Sequence, residues 1–383
     1  MLKTGMKIEQ ITAIIQINNE SWNCLVGGNY PFMRHEFLLA LEESGCVSQK
    51  TGWLPQHLLV TENEVPVAVM PLYLKTHSRG EYVFDHQWVY AYEQYGRDYY
   101  PKLLTAIPFT PCQGMRMAVS NQAEHRQIIA VLTDFIKAKL AQEGLSSWHC
   151  LFPAGEQLEL LAEQALAIRE GVQFQWFNRG YHSFDDFLAT LTASKRKMLK
   201  KERRKIEEQS INLVQFYGYE LNDAQWRIFY DFYRMTYFKH GMSPYLNLDF
   251  FLRCAAVMGS RLLIVFAYKE GQPVAAALNF IGNDTLYGRY WRCREEYNFL
   301  HFETCYYQGL DYCIAHGLQR FDSGAQGEHK IARGFEPVTT YSAHWFHDRQ
   351  FADAINQFLR REKSLIDLYK QDASRYLPFK IPE

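Results

Sequence analysis

Apolar residues recur along this chain at two periods, and the two periods alternate in a fixed order. Ile128, Ile129, Leu132, Phe135, Ile136 and Leu140 fall at helical spacing, as do Phe302, Cys305, Tyr306, Gly309 and Cys313. Each of these amphipathic helices leads to a glycine placed as a C-cap, Gly144 or Gly317, and then to a short strand-like run. Ahead of each helix lies a hairpin pattern. Residues 59–73 read LVTENEVPVAVMPLY and residues 266–280 read FAYKEGQPVAAALNF. In both, a strand meets a polar turn and a second strand opens at proline.

The pattern is written twice. Pro66-Val67-Ala68 matches Pro273-Val274-Ala275 at an offset of 207 residues, and Glu143–His149 matches His316–Asp322 at an offset of 173. The difference, 34 residues, is extra chain in the first half and covers the aromatic stretch 90–117. Each half reads as helix, helix, antiparallel strands, helix, strand, loop, strand, which predicts an α+β architecture repeated in tandem. The boundary is expected near 170–183, giving domains over 1–180 and 181–383. Residues 172–177 read as the closing strand of the first half. A long helix should then start, N-capped by Ser183 with Asp185 and Asp186 in its first turn.

At 383 residues the chain can bury two cores, and 48% hydrophobic with 15% aromatic residues is a globular composition. A net charge of −1 excludes a global field toward nucleic acid, so any such partner must use a local patch. No apolar run reaches the roughly 18 residues of a membrane span, and the N-terminus lacks the apolar core of a signal peptide. The eight cysteines are scattered without metal-site spacing, which fits a reducing cytoplasm and predicts no metal centre.

One local patch exists. Lys195, Arg196, Lys197, Lys200, Lys201, Arg203, Arg204 and Lys205 lie within eleven residues, opposed only by Glu202. Phe184, Phe187, Leu188, Leu191, Met198, Leu199 and Ile206 share about a third of the helical circumference. The helix should dock by that stripe and present its cations outward. They are either a solvated face or a phosphate-binding face for an RNA backbone or an anionic head group.

Strands over 262–268, 274–281 and 286–293 should form a meander. The third carries Tyr287, Arg289, Tyr290, Trp291 and Arg292. The aromatic residues suit packing, but mid-sheet Arg289 and Arg292 need an acidic partner or a ligand. After strand 319–322 comes the densest chemistry in the chain, residues 322–337, DSGAQGEHKIARGFEP.

This order of elements resembles the GNAT acyltransferase fold in duplicate, as in FemAB-type proteins. The DSGAQGEHKIARGFEP motif, with GWLPQHLLV, PLYLKTHSRGEYVFDHQW and YYPKLLTAIPFTP in the first half, resembles the FemAB-like family of N-acyltransferases connected with peptidoglycan synthesis or recognition. The resemblance implies transfer of an acyl or aminoacyl group to an amine, on a peptidoglycan precursor or a peptide. A weaker resemblance, through Tyr306-Tyr307 and Lys330–Pro337, is to aminoacyl-tRNA–protein transferases. GNAT enzymes that use coenzyme A carry a glycine turn for pyrophosphate where this chain has 293–301, CREEYNFLH. The donor is therefore expected to be aminoacyl-tRNA, held through helix 195–205 with Lys200 and Arg204, or else an acyl-CoA bound without that turn.

Amide formation needs a base for the amine, charge stabilisation at the tetrahedral oxyanion and a proton for the leaving oxygen. Glu328 or His329 is the expected base, and Tyr290 or Tyr306 the proton donor. Lys330 and Arg333 would hold donor phosphate or carboxylate, or offset oxyanion charge. Gln326, Asp322, Arg289 and Arg292 complete the expected substrate-binding set. The loop should lie where strands 286–293 and 319–322 splay. A nucleophilic Cys293 or Cys305 lacks a paired histidine at any readable spacing. The alternative to an enzyme is a degenerate GNAT pair that binds a cell-wall fragment or RNA. The first half has Leu151–Glu156 where the second has its charged loop, so activity is expected in the second half.

Overall fold

The computed structural model describes residues 5–238, 241–325 and 327–380. They form an α+β fold in two compact units: Met1–Gly171 with Thr339–Asp367, and Val172–Val338 with Leu368–Glu383.

In the first unit, strands Met6–Ile11, His57–Glu62, Val65–Met70 and Ala118–Val119 make an antiparallel sheet. Strand Ser147–Leu151 runs parallel to Lys102–Thr105, which pairs with Tyr73–Lys75 and through it with Trp53–Pro55. Helix His125–Glu143 buries Ile128, Ile129, Leu132, Ile136 and Leu140 against Leu58, Val60, Met70 and Trp148. It ends at Gly144 with φ +66°, in the left-handed region that a C-capping glycine adopts without strain.

The second unit orders its strands as Ile211–Tyr217, Leu262–Lys269, Gln272–Ile281, Thr285–Cys293 and Arg320–Asp322, followed by the end of Ala167–Phe177. The meander is antiparallel, and Arg320–Asp322 adds to it in parallel. The duplication shows in detail. The register slips between Val60 and Thr61 in one hairpin and between Ala267 and Tyr268 in the other, positions 207 residues apart. Each slip sits opposite the proline, which has no N–H to give the ladder.

Three expectations need revision. Residues 175–177 pair with Arg320–Asp322 in the second unit instead of closing the first, and the first unit takes Ser342–Phe346 beside Ser147–Leu151. Duplication makes the two edges alike, so local pattern does not reveal which edge a strand completes. The compact units accordingly divide within strand Ala167–Phe177, not at 180, and residues 339–367 join the first. Third, the long basic helix is two helices, Phe184–Thr190 and Ala193–Glu208. Ser183 caps the first as expected, its side chain accepting from Asp186 N. The break at Leu191–Thr192 is made by the C-terminal chain, where Thr192 N donates to Pro378 O and Lys380 N to Thr190 O.

Candidate active site

The parallel pairing of Thr285–Cys293 with Arg320–Asp322 ends at Tyr287 opposite Asp322. Beyond it the first strand runs on for six residues while the second turns into the charged loop. Asp322, 1% exposed, opens that loop. Its Oδ1 accepts from Gly324 N at 3.0 Å, and its Oδ2 lies 3.4 Å from Arg289. Gly324 (φ +94°) lets the chain double back, so that Lys330, equally buried, donates to Gly324 O at 2.6 Å. Burial pushes the Lys330 ammonium down to about 8; Asp322 opposes the shift and Arg289 adds to it.

Residues Glu328–Arg333 form a short 3-10 helix. At Gly327 (φ +111°) a Cβ would fall 2.3 Å from the His329 ring, so only glycine lets that ring fold back. His329 is solvent-exposed, and its Nε2 lies 2.8 Å from the Tyr306 hydroxyl. Burial, then Lys330 and Arg333, hold its pKa below the usual imidazole value. Burial raises the Tyr306 phenol, so the hydroxyl keeps its proton. His301 stacks obliquely on Trp291, Tyr306 and His329 with centroids 5.3–5.5 Å apart; burial and then His329 push it down to about 4. At neutral pH both imidazoles are therefore uncharged.

Tyr306 reaches His329 from a stretch of helix that is not regular. Between Leu300–Phe302 and Gln308–Ala315, residues Glu303–Tyr307 take π geometry, a widened turn common at functional sites. Two adjacent tyrosines then serve different partners. Tyr306 meets His329, and Tyr307 donates to the Glu202 carboxylate.

Glu202, one of the residues the sequence reading did not place in the site, organises its rear. Its two oxygens accept from Arg333 at 2.7 and 3.1 Å, a bidentate pair with both side chains about 5% exposed. Arg333 also donates to His329 O at 2.6 Å and lies 3.3 Å from the Phe302 ring centroid. Its guanidinium is thus engaged by the protein and set to hold the backbone of His329, not a donor phosphate. The signal was present: Glu202 is three residues past Leu199 and four before Ile206, an acid on the apolar stripe. Tyr307 entered the sequence reading only through the weaker resemblance, with no role assigned to it.

The other expected residues scatter. Glu328 is exposed and accepts from Tyr369 at 2.8 Å. Tyr290 packs against Tyr233 and Phe251, on the opposite strand face from Trp291, and is not brought to His329. Arg292 is half-buried, with its Nε buried and without a hydrogen-bond partner among the described residues. Gln326 lies outside the described residues. Lys200 and Arg204 are exposed, in ion pairs with exposed Asp185 and Glu208 that contribute little. Of the basic run, Arg203 is turned inward to Glu303 and Asp311, while Lys197, Lys200, Lys201 and Arg204 face solvent. Burial raises the thiol of Cys305 well above its usual value, so it offers no ready thiolate.

Among the described residues, no group of three or more His, Cys, Asp or Glu is arranged to hold a metal ion, and no helix is long and apolar enough to cross a membrane. Comparison with known proteins gives a family and a fold. The pattern of the FemAB-like family, described as peptidoglycan biosynthesis/recognition, matches residues 13–381. The crystal structure of FemX is similar over 91% of this chain and all of its own, with TM-score 0.53 and 10% identity. The C-terminal DUF2156 domain of a lysylphosphatidylglycerol synthetase from Agrobacterium fabrum is similar over 88% of this chain and 94% of its own, with TM-score 0.54 and 8% identity. No curated protein sequence matches.

Proposed function

Because this chain belongs to the FemAB-like family, we propose that its second unit transfers an aminoacyl group from aminoacyl-tRNA to the amine of a peptidoglycan precursor. The observation that carries the reading is the hydrogen-bonded Tyr306–His329 pair at the mouth of the splayed strands. His329 is exposed, uncharged at neutral pH and held from behind by Arg333, as a base that must meet an incoming amine should be.

In this reaction the amine nitrogen attacks the ester carbonyl of the donor, and His329 takes the proton that the nitrogen loses. The tetrahedral intermediate collapses, the C–N bond is kept, and the bond to the ribose oxygen breaks. That oxygen receives a proton through the Tyr306 hydroxyl, which His329 restores. Lys330 and Arg289, both beside Asp322, would supply positive charge at the splay to offset the oxyanion. The solvent face of Ala193–Glu208 would take the tRNA backbone. Aminoacyl-tRNA is preferred over acyl-CoA because residues 293–301 lack glycine, and Phe299 takes the left-handed backbone there with its side chain in place.

The test is transfer of a labelled amino acid from charged tRNA to a precursor with a free amine, beside acyl-CoA as donor. His329→Ala and Tyr306→Phe should lower kcat about 100-fold or more while binding persists. Wild-type rates in both folded variants would remove the site assignment. Binding of tRNA and precursor without turnover in the wild type would favour a recognition module.

A further inference from the structure

The first-half segments 71–88 and 99–111 hold a cluster that the transfer chemistry does not use. Lys75 and Lys102 are direct partners on neighbouring antiparallel strands, so their side chains leave the same face of the sheet. They are 0% and 1% exposed. Like charges set opposite one another in a buried sheet repel, and chain must be spent to hold them. That chain is the loop leading to helix His86–Gln94, which returns over the strands and inserts Glu81 and Asp85.

The closure is incomplete. Lys102 Nζ is well served, by Asp85 at 2.6 Å, Glu81 at 2.8 Å and Ser78 at 2.9 Å. Lys75 Nζ has a 3.5 Å contact to Arg79 O, stands 3.9 Å from Glu81 Oε1 and lies 3.8 Å above the Trp53 ring centroid. Asp85 Oδ2 takes Lys102, Ser78 and Tyr99 together. Its Oδ1, like Glu81 Oε1, is buried without a hydrogen-bond partner among the described residues. A permanent ion pair that leaves two buried carboxylate oxygens without a hydrogen bond from the described residues is a costly arrangement.

We propose that Lys75 and Lys102 form an anion site, masked in this state by Glu81 and Asp85, whose ligand is a phosphate or diphosphate group. Two carboxylates now balance two ammonium groups, so a ligand that displaces them must bring about two negative charges and several acceptor oxygens. A phosphate dianion or a diphosphate does both. Ser78 Oγ and Tyr100 Oη, 2.7 Å apart beside Lys102, add hydroxyl donors. The covering loop has the features of a segment that can leave. Thr76, Arg79, Tyr82 and Phe84 are exposed, and Gly80 (φ +82°) bends it between them. The site is independent of the transfer reading above.

The experiment uses the full chain and inorganic pyrophosphate. Glu81→Gln/Asp85→Asn should lose thermal stability, because both lysines are left unpaired, and millimolar pyrophosphate should restore it where chloride at equal ionic strength does not. Adding Lys75→Met and Lys102→Met to that background should abolish the restoration. In the wild type, pyrophosphate should speed tryptic cleavage after Arg79 by several-fold as the loop is displaced, a readout that stands even if the variant fails to fold. Glycerol 3-phosphate and phosphatidate vesicles, run in parallel, distinguish a soluble ester from a lipid headgroup, and either one binding supports the site. If no phosphate probe changes cleavage or is bound by the wild type, or if restoration survives loss of both lysines, the proposal fails.

Discussion

His329 and Lys330 are adjacent in sequence and opposite in surroundings, one exposed beside a phenol, the other sealed under its own loop. Their titrations bracket the working range. With the His329 pKa held below 6.5, its basic form persists past that pH on the acid side, so kcat/KM should fall only under more acidic conditions. Lys330 is charged below about 8, so the basic limb of the profile should fall near that value. Lys330→Arg should move the basic limb upward, and a pH–rate profile of both proteins checks this. Lys75 gives a stability prediction with its own sign. Its folded pKa, about 7, lies below the ordinary lysine value of 10.5, so between those limits the unfolded chain binds more protons than the folded one. Stability from this group therefore rises with pH across that window and is absent below about 7. Lys75→Met should flatten the rise, read by denaturant titration at several pH values between about 7 and 10.5. Density of charge drew attention to His329 and Lys330 in the sequence, while Tyr306 stood out only as a candidate proton donor on the preceding helix. The roles of Glu328 and Arg333 were not legible, because they depend on which partner the fold brings within about 3 Å.

At the scale of elements, the sequence disclosed the two hairpins, the capped helices and the strand that follows each of them, since those rest on local periodicity and on glycine and proline; that these strands pair in parallel is seen only in the fold. The π turn of Glu303–Tyr307 has no such signature; the apolar spacing of the helix absorbs one wide turn without visible fault. The break at Leu191–Thr192 is likewise imposed from outside the helix, by residues 378–380. Glu202 joins these elements, since Ala193–Glu208 supplies it, the π segment supplies Tyr307, and the 3-10 turn supplies Arg333. Glu202→Ala should cost about 3–5 kcal/mol, because it strands a buried guanidinium. Glu202→Ala/Arg333→Met should recover much of that loss in chemical denaturation yet remain poor in transfer, since His329 O then loses its donor.

For the whole molecule, the halves seen in the sequence are real as repeats but are not the compact units. A fragment of residues 1–180 lacks 339–367 and should not give a cooperative unfolding transition. Gly171 and Thr340 are neighbours: a Cβ at Gly171 would lie 3.0 Å from Thr340 Oγ1. A chain of residues 1–171 joined by a short turn to 339–367 should therefore fold alone, with a single transition by calorimetry and circular dichroism. Synthesis meets the same arrangement in time. His149 faces His344, 195 residues further along the chain. At roughly 5–20 residues per second, the open edge of Ser147–Leu151 waits about 10–40 s on the ribosome for its partner strand. During that interval an unpaired β-edge is exposed to other nascent chains, which makes it the place where a chaperone would have most to do.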